Sequence, residues 1–131
     1  PEFALVQERI IAELTAAGAT LDAVYACPHH ARGQAPYDHP DHPARKPNPG
    51  MLLRAITALT LDAAASWIIG DRASDLEAGR AAGLMGGLHV RTGYGERPGE
   101  REAALALADR RFQSLGAASI ADTVAQVSLF A

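Results

Sequence analysis

The sequence predicts an α/β fold, a parallel β-sheet with helices on both faces. Three observations predict it. The chain has 131 residues, 48% of them apolar, enough for a single domain with a buried core. Helical and strand-like patterns alternate along it, and such alternation builds parallel sheets through helical crossovers. The compact apolar run Trp67-Ile68-Ile69 stops at Gly70 and Asp71, as a strand does on reaching the end of a sheet.

The elements follow in order. Over residues 3–17, Leu5, Val6, Ile10 and Leu14 recur at helical spacing, with Glu8, Arg9 and Glu13 between them, and Gly18 marks the stop. Residues 21–27 read as a short strand centred on Val24 and Tyr25. Residues 28–49 carry six prolines and four histidines with no periodicity, and so form one long loop, a length usually kept for function or disorder. Pro49 and Gly50 open a second helix, through about Leu59, with Met51, Leu52, Ala55 and Leu59 on one face. Trp67, Ile68 and Ile69 form a compact strand ending at Gly70 and Asp71. A third helix spans 74–82 and closes at Gly83. Residues 87–91 are a strand, 92–99 a Gly/Pro-rich loop, 100–108 a helix, 111–115 a last strand and 120–129 a last helix. Trp67 is expected in the core, His89 as a packed histidine, and the Arg110–Arg111 pair in a solvated turn.

Composition narrows the function. Twelve Lys and Arg against fifteen Asp and Glu give a net charge of −3, which offers no footprint for nucleic acid. No apolar run approaches the roughly 18 residues of a membrane span, so no membrane partner is expected. A single cysteine, Cys27, excludes an internal disulfide and fits a reducing cytoplasm.

In parallel sheets, ligands bind beyond the carboxyl ends of the strands. At one such end, Gly70 permits a tight turn, Asp71 follows the strand, and Asp75 lies one helical turn on. Two hard carboxylates that can face one point suit Mg²⁺, which keeps waters for a phosphate substrate. Asp71 or Ser74 as a helix cap, with Asp75 as a first-turn carboxylate, is the structural alternative. Arg45 and Lys46 precede a helix start, where anions are favoured, although a solvated basic turn has the same sequence. Cys27, His29 and His42, joined by His39, Asp38 or Asp41, have the residue types of a zinc site, but one cysteine rules out a two-thiolate site, and an ordered substrate loop without metal is favoured. Nothing else in the sequence specifies a thiol mechanism for Cys27. Arg91, Thr92 and Tyr94 follow a strand end and can line the crevice or be plain loop.

Taken in series, "CPHH", the Pro-rich loop, "RKPNPGML", "WIIGDRASDLEAGRAAGL" and "LHVRTGYG" resemble the haloacid dehalogenase (HAD) superfamily over residues 3–95. Within it the series is most similar to the D,D-heptose 1,7-bisphosphate phosphatase group, related to the histidinol-phosphatases. The resemblance implies a HAD-like Rossmannoid fold with no large cap domain, the long loop covering the site instead. Lys46 matches the lysine that steadies the phosphoaspartate and its transferring phosphoryl group. Arg45 matches a substrate-contacting arginine, Asp71 the aspartate that ligates Mg²⁺, and Asp75 the second acid, which supports the site from behind. Arg72 stands where the group more often has Lys, and His29 joins the substrate contacts. Mg²⁺ is the implied cofactor, and a small phosphorylated metabolite, a sugar phosphate, the implied partner. The group's zinc loop has C-x-H and then C-x-C. Cys27 and His29 match the first pair, but His42 and Ala44 replace the second, so no zinc is expected.

The superfamily's D-x-D nucleophile motif has no counterpart here. The chain starts at Pro1 and runs at once into a helix that resembles the one following motif II. The sequence is therefore expected to begin after the strands that carry motifs I and II. Alone it is expected to be inactive, while a complete parent would hydrolyse a sugar phosphate through an aspartyl-phosphate. The alternative is an inactive HAD-like module that binds a phosphorylated ligand or a protein partner. A receiver-like or nucleotide-binding domain is disfavoured, because no Gly-rich phosphate loop follows any strand.

Overall fold

The computed structural model describes residues 2–127. Helix α1 spans Glu2–Ala16 and α2 Gly50–Leu59, followed by β1 (Trp67–Gly70), α3 (Ala73–Ala81), β2 (Gly86–Val90), α4 (Glu100–Leu105), β3 (Gln113–Ala117) and α5 (Thr123–Gln126). The three strands are parallel in the order β1-β2-β3, with Trp67 beside Gly86 and Gly86 beside Gln113. This is the predicted α/β architecture, a parallel sheet built by helical crossovers.

Alternation along the strands splits the core in two. Ile68 joins Leu76, Leu84, Ala104 and Phe112 under α2, α3 and α4. Trp67 and Ile69 face the other way, with Leu88, Val90, Ala117 and Val127. The central strand β2 is buried throughout, whereas every residue of β1 is half-buried. Trp67 is therefore only partly core, while His89 is fully buried, as its place in the strand predicts. Helix α3 stops where expected: Gly83 takes φ +79°, and Leu84 N–H donates to Gly79 O at 3.0 Å.

Several boundaries move. The predicted strand over 21–27 carries no ladder among the described residues. Alternating apolar residues make a strand only beside a backbone that accepts their hydrogen bonds, and the sheet's order begins at β1. Leu21 and Val24 accordingly stay exposed. The last strand begins at Gln113 rather than Arg111, because Asp109 Oδ1 takes the N–H groups of Arg111 and Phe112, at 2.8 and 2.9 Å, into a turn. Helix α4 ends at Leu105, not near 108. The predicted last helix is a 3₁₀ turn, Ile120–Asp122, running into α5, and its end at Leu129 lies outside the described residues. No residue of α1 is buried, and Phe3, Leu5, Val6, Ile10 and Ile11 are exposed along it. No helix among the described residues is long and apolar enough to cross a membrane.

Candidate active site

Two segments meet at the carboxyl end of β1. The first is the run of turns over 42–50. Arg45 N–H donates to His42 O at 2.8 Å, Asn48 N–H to Arg45 O at 2.9 Å, and Gly50 N–H to Pro43 O at 2.9 Å. The Asn48 side chain adds a bond to His42 O at 3.1 Å. These bonds, with Pro47 and Pro49, hold Lys46 in place just ahead of α2.

The second is the turn from β1 into α3. Asp75 is buried, and both its oxygens are used: Oδ1 accepts from Lys46 Nζ, and Oδ2 from the Arg72 backbone N–H at 3.1 Å. Oδ2 thereby satisfies one of the free donors at the start of α3. Gly70 makes the approach possible, since a Cβ there would occupy the position of the Asp75 carboxylate. Glu100, from α4, fastens the same turn. Its Oε2 accepts from Ala73 N–H at 2.7 Å, and its Oε1 lies 3.6 Å from Arg72 Nε.

Lys46 and Asp75, with Arg45, Arg72, His29 and Cys27, line one cavity of about 330 Å³. Arg45 is steered into it by donating from Nη1 to His29 O at 3.1 Å. Of the predicted site residues, then, Lys46, Asp75, Arg45, Arg72, His29 and Cys27 converge, although they come from opposite ends of the loop and from α3. Asp71 is adjacent but does not line the cavity. Its Oδ2 accepts the Tyr94 backbone N–H at 2.7 Å. Gly93 is required there: it adopts φ +63°, and a Cβ would meet the Asp71 carboxylate. The two carboxylates predicted to face one point therefore hold different neighbours, Lys46 for Asp75 and the 93–94 turn for Asp71.

His42 packs beside the cavity without lining it. Its ring stacks on His29 with centroids 3.7 Å apart, and His39 meets it edge-on at 5.5 Å. Desolvation, then the neighbouring His29 and His39, hold its pKa below the ordinary value. His29 Nδ1 is buried without a hydrogen-bond partner among the described residues. No group of three or more His, Cys, Asp or Glu side chains among the described residues is arranged to hold a metal ion. A Mg²⁺ site that draws on solvent and substrate needs fewer protein ligands. Asp71 fits it, because its second oxygen has no protein partner among the described residues.

Sequence reasoning missed Tyr94's role and Glu100. Tyr94 acts through its backbone N–H, which any residue but proline would supply. Glu100 lies 27 positions from the turn it holds, and no local pattern marks it.

The chain is similar to several known proteins. The HAD-hydrolase-like family matches residues 43–124. The D-glycero-β-D-manno-heptose-1,7-bisphosphate 7-phosphatase of Mesorhizobium japonicum is 44% identical over 97 residues, which are 74% of this chain and 45% of that one. The enzyme of the same name from Escherichia coli is 42% identical over 84 residues, 64% of this chain and 44% of its own. A crystal structure from Mesorhizobium loti, assigned to the HAD-like phosphatases, superposes with a TM-score of 0.66 at 45% identity, covering 70% of this chain and 44% of the other. The chain thus spans less than half the length of these relatives.

Proposed function

The chain belongs to the HAD-hydrolase-like family, and on that premise we propose that it is part of a cytoplasmic, Mg²⁺-dependent phosphatase acting on a small phosphorylated sugar of the heptose bisphosphate kind. The observation that carries this reading is the anchored lysine. Lys46 reaches from the proline-braced turn to the buried Asp75, at a strand end, in a cavity that also holds Arg45, Arg72 and His29. Phosphoryl transfer needs fixed positive charge where negative charge develops, and a lysine tied at one end by a carboxylate provides it without reorganisation. The relatives named as heptose bisphosphate phosphatases support the substrate class.

Each residue takes a role in this reading. Lys46 steadies the transferring phosphoryl group. Arg45 and Arg72 bind the more distant part of the substrate, and the loop carrying His29 shields the site from water. Asp71 supplies a carboxylate to Mg²⁺, which when bound offsets the charge of nucleophile and phosphate. The nucleophile is an aspartate outside this sequence, on a strand that pairs with the free edge of β1 and forms an aspartyl-phosphate. Two features support that placement. Among the described residues, β1 is hydrogen-bonded on one side only. A cavity of about 250 Å³, lined by Leu52, Ala55, Ile68 and Ala78 and bordered by Lys46 and Asn48, offers room for that strand's side chains.

The test is phosphate release from D-glycero-β-D-manno-heptose 1,7-bisphosphate by the full-length protein carrying this sequence. Lys46→Ala should lower kcat by at least about 100-fold, the scale of losing one preorganised charge partner. Undiminished turnover by the variant would overturn the assignment, and absence of turnover in the parent would favour a binding module.

A further inference from the structure

A second cavity, also about 330 Å³, opens at the same end of the sheet and shares no lining residue with the first. Arg91, Arg97 and Arg101 line it, together with Glu96 and Glu102. The arginines are held by contacts other than ion pairs. The Arg101 guanidinium donates to Ala117 O at 3.1 Å and lies over Gly116, where a Cβ would displace it. Arg97 stacks on the Tyr94 ring at 4.1 Å. Arg91 is fixed at its backbone, which donates to Ala118 O at 3.2 Å. Among the described residues none of the three forms an ion pair, nor does Glu96 or Glu102.

Three guanidiniums with no direct ion pair, two of them prepositioned, form a receptor for an oxyanion, since the guanidinium fork matches phosphate geometry. The two unpaired carboxylates accept hydrogen bonds but repel anions, so they suit a ligand that presents hydroxyls beside its phosphate. We infer that this cavity is a second binding site, separate from the proposed catalytic one, for a phosphorylated polyol or sugar. Tyr94 links the two sites. Its ring stacks on Arg97 while its backbone N–H holds Asp71, so a bound ligand lies one residue away from the strand-end carboxylate.

Titration of ¹⁵N-labelled protein with glycerol 3-phosphate tests the inference. The amides of Gly95 and Gly99 should shift and saturate, and inorganic phosphate should bind there more weakly. The double variant Arg91→Ala, Arg97→Ala removes only exposed side chains. It should weaken binding at Gly95 and Gly99 about tenfold or more and leave shifts near Lys46 and Ser74 unchanged, whereas Lys46→Ala should do the reverse. Replacing the carboxylates, as Glu96→Gln with Glu102→Gln, should abolish the preference over inorganic phosphate. Absence of saturable shifts at Gly95 and Gly99, their persistence in the arginine double variant, or equal binding of inorganic phosphate would overturn it. The outcomes at Gly95 and Gly99 do not bear on the catalytic reading, which rests on Lys46 and its anchor Asp75.

Discussion

Asp75 does two jobs with two oxygens, and the jobs can be separated. Oδ2 caps the start of α3 through the Arg72 N–H, while Oδ1 anchors the half-exposed ammonium of Lys46. Asp75→Asn keeps an oxygen for the cap and removes the charge. The stability change should stay below about 1 kcal/mol, as for a pair with one solvated partner, while kcat of the full-length enzyme should fall at least about tenfold. Asp75→Ala loses the cap as well and should cost about 1–2 kcal/mol more in urea unfolding. Equal kcat in wild type and Asp75→Asn would show that the lysine needs no anchor. At this scale much was legible in the sequence. Lys46, Asp71 and Asp75 stand out as charged residues beside a helix start and a strand end. Which carboxylate meets the lysine was not legible, because that depends on how far the 42–50 turns carry Lys46 across the sheet.

The loop over 28–49 was readable as one element from its prolines and histidines, but its internal packing was not. His29 and His42 lie far apart in sequence, yet their rings stack at 3.7 Å, with His39 edge-on to His42. The packing makes protonation of His42 costlier in the folded loop than in the open chain, and this lowers its pKa. The sign of the pH dependence follows. The stack is fully stable above the ordinary histidine value of 6.5, and stability is lost as pH falls below it, since the unfolded loop then binds the proton more readily. Proteolysis within the loop should therefore speed up between pH 7.5 and pH 5.5 (flanking about 6.5), and a His42→Phe variant should lose most of that dependence. A rate independent of pH in the wild type would contradict the stacked arrangement.

Across the whole molecule, periodicity identified the sheet, its parallel sense and the helices that cover it. It failed where structure depends on a neighbour. Among the described residues, 21–27 have a strand's alternation but no strand paired with them, and β1 is half-buried with one edge unpaired. The exposed apolar residues of α1 belong to the same pattern. These are the surfaces that the proposed nucleophile-bearing segment would cover, and with it the Asp71 carboxylate would become part of the proposed phosphoryl-transfer site. The direct measurement is Mg²⁺-dependent phosphate release from the heptose bisphosphate by the full-length protein and its Asp71→Asn variant. The account predicts turnover that saturates with Mg²⁺ in the wild type and is abolished in the variant at every Mg²⁺ concentration. Turnover by the variant equal to wild type, with the same Mg²⁺ dependence, would contradict it.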